Sequence, residues 1–215
     1  MRKAFGQAIS AGAFEQAGKN FVYYDKGRRA LLPGAKRLPG ELEVFVMSQC
    51  PYGVQAENSL IEARNKGLLP EGTKIVLRYI SDPVTDEKGN VTGFNSLHGT
   101  PEWEENARQL FIQKHFPDKF FAYLSERNRD VMSSRWQSAA EAAGVDAARV
   151  SAGFEEAKAL LAENARRARE LGIGTSPTFL VEGRVLVTGI GGLIQVKGFE
   201  KVPAQAAPPG QGCSQ

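Results

Sequence analysis

Cys50 closes the run Phe45-Val46-Met47-Ser48-Gln49-Cys50, and Pro51-Tyr52-Gly53 leads from it into a segment of helical character. A thiol in the first turn of a helix faces backbone N–H groups that have no intrahelical partner and the positive end of the helix dipole. Both favour thiolate over thiol. A free cysteine ionises near about 8.5, and such positions bring that down to roughly 3.5 to 7.5. Pro51 suits the first helical position because its missing N–H would have gone unpaired there. The chemistry implied is nucleophilic attack on a disulfide. The alternative is a buried cysteine packed as a small hydrophobe.

A second cluster lies far downstream, at Thr175-Ser176-Pro177, just before a β-rich pair of runs. The chain holds one other cysteine, Cys213. It is either an idle thiol or one that reaches Cys50, since the thirteen residues from Pro203 to Gln215 span several tens of ångströms at roughly 3.3 Å each. His98 is either a proton-handling residue near the thiol or a loop histidine capping the helix that follows. Two histidines and two cysteines do not make a metal cluster, and no metal is expected.

FVMSQCPYG resembles the active-site start of thioredoxin-fold thiol-disulfide oxidoreductases, whose motif is Cys-x-x-Cys at the same junction. ELGIGTSPTFLVEGR resembles the DsbA-like pattern of a helix end, a loop with a cis proline and a terminal hairpin; Pro177 matches that proline. AGVDAARVSAGFEEAKALLAENARRARELGI is similar to the last helices of DsbA-like insertions. The resemblance implies an α/β thioredoxin fold with a helical insertion and a mixed central sheet. It implies a site of Cys50, Pro51, Tyr52, Gly53 and Pro177, with Ser176 and Thr175 presenting backbone to an extended peptide. Gly53 stands where the family has its second cysteine.

A narrower resemblance is to the gamma-interferon-inducible lysosomal thiol reductases, whose signature is Cys-Gln-His-Gly-x-x-Glu-Cys-x-x-Asn-x-x-x-x-Cys. Residues 96–111 read SLHGTPEWEENARQLF, so His98, Gly99, Glu102 and Asn106 match in register while Ser96, Leu97, Trp103 and Phe111 depart from it. Glu102 and Asn106, four apart on one helical face, read as local hydrogen-bonding residues.

With one thiol in the motif, attack on a substrate disulfide leaves a mixed disulfide that Gly53 cannot resolve. Either an external thiol such as glutathione resolves it, or Cys213 does, or the protein holds its partner without completing turnover; isomerisation or reduction suits a monothiol better than net oxidation. The partners expected are protein or peptide thiols and disulfides. Two other readings stand beside this one. Kappa-type glutathione transferases and isomerases have a single group at this helix start, which would make glutathione a co-substrate. A redox-silent module would hold an extended peptide by strand addition.

The elements that must place these residues follow from pattern. Leu42–Met47 and Lys74–Ile80 read as strands with a helix from Val54 to Lys66 between them. Residues 81–101 read as a polar loop turning at 87–90. Helices are expected at 102–115, 118–127, 130–143, after Asp146, and 155–171, the last with Ala157, Leu161, Ala165 and Ala168 inward. Thr178–Val181 and Val185–Thr188 form a hairpin. Before residue 41 a basic arm is expected, with a helix over 4–17 and a hairpin of Phe21–Tyr24 and Arg29–Leu32. The domain proper is 41–202, and 203–215 reads as a flexible tail.

The whole chain has 215 residues, 42% hydrophobic and 24% charged, the composition of an ordinary globular protein with no run apolar enough to span a membrane. Residues 1–40 carry a charge of +6 against −3 for the rest. These charges are dispersed and lack interleaved aromatics, so nucleic acid is not an expected partner. Arg2 and Lys3 imitate the start of a secretion leader, but Gln7 and Ser10 interrupt its apolar stretch. The expected location is the periplasm or cell envelope where a leader precedes this chain, and the cytoplasm otherwise.

Overall fold

The computed structural model describes residues 14–17, 20–25, 29–32, 35–204 and 213–214. Its organising strand is β4 (Glu41–Val46), preceded by β1 (Phe14–Ala17), β2 (Asn20–Asp25) and β3 (Arg29–Leu31). Strand residues alternate between faces. Leu42, Val44 and Val46 therefore enter one apolar cluster, while Phe45 and Met47 enter another on the opposite face. A strand apolar on both faces belongs in the middle of a covered sheet.

Helix α1 (Pro51–Asn65) leads to β5 (Lys74–Tyr79), which pairs parallel with β4 in the register Glu41↔Lys74 to Val46↔Tyr79. A hairpin of β6 (Asp82–Thr85) and β7 (Val91–Asn95) follows where only a polar loop is expected. Asp82, Asp86 and Asn90 mask its strand character, and Asp86 turns it by accepting from the Lys88 and Asn90 amides at 2.9 and 2.8 Å.

The helical layer comprises α2 (Thr100–His115), α3 (Pro117–Arg127), α4 (Trp136–Ala142), α5 (Ala147–Ala152) and α6 (Phe154–Glu170). The helix expected over 130–143 is shortened to α4, since residues 130–135 take a turn, a bend and irregular backbone instead. Asp146 caps α5 through the Arg149 amide at 3.0 Å, as its position predicts. In α6 the inward residues include Ala157, Leu161, Ala165 and Ala168, the spacing of one helical face.

The chain returns through β8 (Thr175–Ser176), β9 (Thr178–Val181), β10 (Val185–Thr188) and a short helix α7 (Ile190–Leu193), and β11 is Cys213–Ser214. The main sheet runs β1-β2-β3-β10-β9-β4-β5, with β9 antiparallel to β4 and to β10, so it is mixed. Two expectations change here. Residues 14–17 are a strand rather than the end of a helix, and residues 4–13 lie outside the described ones. The stretch read as an accessory arm contributes three strands to the main sheet, because β3 satisfies the free edge of β10.

The opposite edge, β5, is closed by side chains. Gln113 accepts from Leu77 N at 2.8 Å and donates to Leu77 O at 3.0 Å, and Asn164 Oδ1 accepts from Tyr79 N at 3.2 Å. An open strand edge invites pairing with another chain, and a buried N–H without an acceptor is costly. Asn164→Leu should lower stability by about 1 to 3 kcal/mol by leaving Tyr79 N without an acceptor, and Asn164→Asp should lower it as well at neutral pH, since it buries a carboxylate whose second oxygen faces Leu160 O. Urea unfolding of both variants checks this; equal midpoints for Asn164→Leu and the parent chain would show that Asn164 does not seal the edge.

Candidate functional site

Cys50 is the N-cap of α1, with extended backbone (φ −73°, ψ 120°), and Pro51 occupies the first helical turn as expected. The four residues Met47 to Cys50 are 0 to 4% exposed, although they form no regular element. Every backbone N–H in such a buried loop needs an acceptor. Met47 N donates to Ser176 Oγ at 3.1 Å, Ser48 N to Asn106 Oδ1 at 3.0 Å, and Gln49 N to Glu102 Oε1 at 3.1 Å. Cys50 N donates to Met47 O at 3.0 Å. Three of these acceptors are side chains from α2 and β8.

Glu102, fully buried, gathers more donors: Ser96 Oγ at 2.6 Å and His98 N at 3.1 Å, both to Oε2, while His98 Nδ1 lies 2.7 Å from Oε1. His98 thus reaches the Cys50 loop through Glu102. Asn106 Nδ2 extends the network to Ser81 Oγ at 3.1 Å, and Gln49 Nε2 donates to Val131 O at 3.2 Å.

The peptide bond between Ser176 and Pro177 is cis. Ser176 and Pro177 are buried and Thr175 half-buried; Pro51 is exposed, Tyr52 half-buried and Gly53 buried. Cys50 Sγ lies 3.8 Å from Ser176 O. Cys50 is disulfide-bonded, so it has no proton to share and this approach is a contact. Cys50 belongs to the apolar cluster that includes Phe45, Met47, Ile80, Leu171 and Ile173, with Tyr52 packed against it. The fold therefore brings together Cys50, Gly53, Ser176 and Pro177, but not as the free activated thiol that the helix start suggests.

β11 pairs antiparallel with β8 in the register Cys213↔Ser176 and Ser214↔Thr175, and it lies against α1. A wholly flexible tail is thus corrected at this point: backbone hydrogen bonding to β8 orders residues 213–214, while 205–212 and 215 lie outside the described residues.

Under α1 lies a polar core that composition and periodicity do not announce. Glu105 Oε1 accepts from Tyr123 Oη at 2.8 Å, Gln109 Nε2 at 2.9 Å and Arg127 Nε at 3.1 Å, and Gln109 bonds Tyr79 Oη. Glu57, seven residues beyond Cys50, accepts from Asn128 Nδ2 at 3.0 Å through Oε2, while its Oε1 is buried without a partner among the described residues. Burial pushes the Glu57 carboxyl up to about 8, opposed by the Asn128 bond and helped by the negative charge of Glu105. Burial, then the nearby acidic groups, likewise holds Tyr79 and Tyr123 well above the usual phenol range. A signal did exist in the sequence: Glu102, Glu105, Asn106, Gln109 and Gln113 share the inner face of α2, a polar stripe where apolar residues are expected.

No protein-family model matches the chain, and no curated protein matches it. Solved structures do. The DsbA disulfide interchange protein from Klebsiella pneumoniae aligns with a TM-score of 0.53 at 17% identity, over 87% of this chain and 93% of that one. BdbD from Bacillus subtilis gives 0.52 at 13% identity over 75% and 80%. A periplasmic thioredoxin-like protein from Salmonella enterica gives 0.50 at 17% over 73% and 82%. The fold is the thioredoxin fold with a DsbA-like helical insertion.

The Glu57 carboxyl generates a pH prediction. Its folded value of about 8 lies above the ordinary 4.5, so its contribution to stability is fully present below about 4.5 and is lost as pH rises through about 8. Glu57→Gln removes that dependence. Stability of the variant relative to the parent should rise by about 1.4 kcal/mol per pH unit across this window. Urea titrations at several pH values measure it, and a pH-independent difference would show that Glu57 ionises normally in the folded chain.

Proposed function

We propose that this protein is a thiol-disulfide exchange protein in which Cys50 is the nucleophile and Cys213 the second sulfur. The observation that carries the reading is the disulfide at Cys50, taken with a sequence that has one other cysteine and a backbone register that sets Cys213 opposite Ser176. The likeness of fold to disulfide interchange proteins supports the class of reaction, and fold alone does not assign it.

Written as chemistry, the reduced form begins with two thiols. The Cys50 thiolate attacks one sulfur of a substrate disulfide, forming a mixed disulfide and expelling the first substrate thiolate. The Cys213 thiolate then attacks Sγ of Cys50, expels the second substrate thiolate and leaves a Cys50–Cys213 disulfide. Two electrons pass to the substrate, and its two thiolates take up the protons given by Cys50 and Cys213. The reverse sequence oxidises a substrate dithiol. A stored disulfide makes that direction available, which a lone thiol in the motif does not. Substrates are protein or peptide thiols and disulfides, glutathione serves as a small-molecule partner, and the compartment is an oxidising one such as the periplasm.

This assigns two distinct defects. In a glutathione redox buffer, Cys213→Ser should accumulate a glutathionyl adduct on Cys50, whereas the parent chain passes through it to the internal disulfide. Cys50→Ser should form no adduct at the substituted position and should lose peptide-disulfide reduction altogether. Acid quenching and mass spectrometry distinguish the species. Retained turnover in Cys50→Ser, or the absence of any adduct in Cys213→Ser, would overturn the reading.

A further inference from the structure

Gly53 is a glycine whose identity the backbone does not explain. It lies inside α1, and it is not among the glycines with positive φ. Glycine weakens a helix relative to alanine, so its presence in the first turn calls for another reason. That reason is space. A Cβ on Gly53 would lie 2.6 Å from Ser176 Oγ, 3.1 Å from Met47 O and 3.4 Å from Val46 Cβ.

None of these atoms is free to retreat. Ser176 is fully buried and its Oγ accepts from Met47 N at 3.1 Å, so rotating the hydroxyl away would strip a buried N–H of its acceptor. Met47 O is held as the acceptor of Cys50 N at 3.0 Å. Val46 belongs to β4, a strand paired on both sides, with β5 and β9. The tightest wall is the Ser176 hydroxyl, and Ser176→Ala removes it while leaving the main chain of β8 and β4 in place, at the cost of the acceptor for Met47 N.

We propose that Ser176 selects the disulfide partner of Cys50: its hydroxyl fills the space that a cysteine at position 53 would need, while its backbone receives the strand that carries Cys213. The proposal rests on the reading that Cys50 and Cys213 exchange disulfides. One residue then acts in two directions. Its side chain points at α1 and closes the helix route to a second sulfur, and its main chain pairs with β11 in the register Cys213↔Ser176. Gly53 and Ser176 are a matched pair, and restoring a Cys-x-x-Cys motif by substitution at 53 alone fails because Ser176 is still in place.

The test is carried out in a Cys213→Ser background, where position 53 is the only other place for a cysteine. Gly53→Cys and Gly53→Cys/Ser176→Ala are equilibrated with reduced glutathione and glutathione disulfide, the oxidant, which takes up two electrons as Cys50 and the introduced cysteine lose two protons and join. The internal disulfide is counted by mass spectrometry after acid quenching. The double substitution should raise the equilibrium constant for the internal disulfide about tenfold over the single one. Equal constants would overturn the proposal.

Should the cysteine variants fail to fold, a second cycle in the otherwise unaltered chain reads the same contact. Gly53→Ala should destabilise the protein when Ser176 is present and do so less when Ser176→Ala accompanies it. Additive effects of the two substitutions would overturn the proposal as well. Failure of the Cys50–Cys213 exchange in the unsubstituted chain would remove the proposed function and leave these two comparisons intact.

Discussion

The buried loop from Met47 to Cys50 is the constraint to which the other parts of the site answer. It must bury its backbone beside the sheet in order to hold a sulfur at the start of α1, yet it belongs to no ladder that would satisfy its amides. Buried amides without acceptors are costly enough that a loop of this kind persists only if other elements supply them. Here Ser176, Asn106 and Glu102 do so, reaching across 129, 58 and 53 residues of sequence. The position of Cys50 is thereby tied to the helical insertion and to β8 at once. An error in either would be felt at the sulfur.

This explains the unusual face of α2. A helix that packed only against apolar neighbours would turn an apolar stripe inward, but α2 meets the Cys50 loop and the free edge of β5, both of which present backbone. Its inner face is therefore a series of side-chain acceptors: Glu102 and Asn106 for the loop, Gln113 for Leu77. Between them Glu105 and Gln109 pair with Tyr79, Tyr123 and Arg127, so the charge of Glu105 is buried with a guanidinium beside it. An ion pair so deep contributes little net stability, because desolvation offsets the attraction. What it contributes is a fixed arrangement beneath the active-site helix.

Glu57 departs from that pattern. Among the described residues it pairs with no cation and one of its oxygens has no partner, and it lies on the helix that Cys50 caps. Burial holds that carboxyl at about 8, so its protonated form is favoured at neutral pH beside the charged Glu105 and Arg127 pair. At the other side of the sulfur the decisive element is two residues long. β8 gives a hydroxyl to the loop, a carbonyl to the neighbourhood of Sγ and a strand edge to β11. A regular strand would alternate these duties over several residues, and here Ser176 performs all three.

The sequence by itself determined the frame. The alternation in Leu42–Met47, the junction at Cys50, the spacing within 154–170 and the paired runs at 178–188 are local patterns, and local patterns survive as sequence periodicity. Gly53 and Pro177 were legible in the same way, through a motif. What only the tertiary structure decided was which residues answer one another. The β6–β7 hairpin was hidden by its polar residues, the first three strands by their dependence on the edge of β10, and the duties of Glu102, Asn106 and Glu57 by the absence of any period linking a carboxylate to an amide fifty residues away. Hydrogen-bond satisfaction and steric exclusion, as between Ser176 and Gly53, are properties of distances in space. They become visible only once the chain has brought the two sides together.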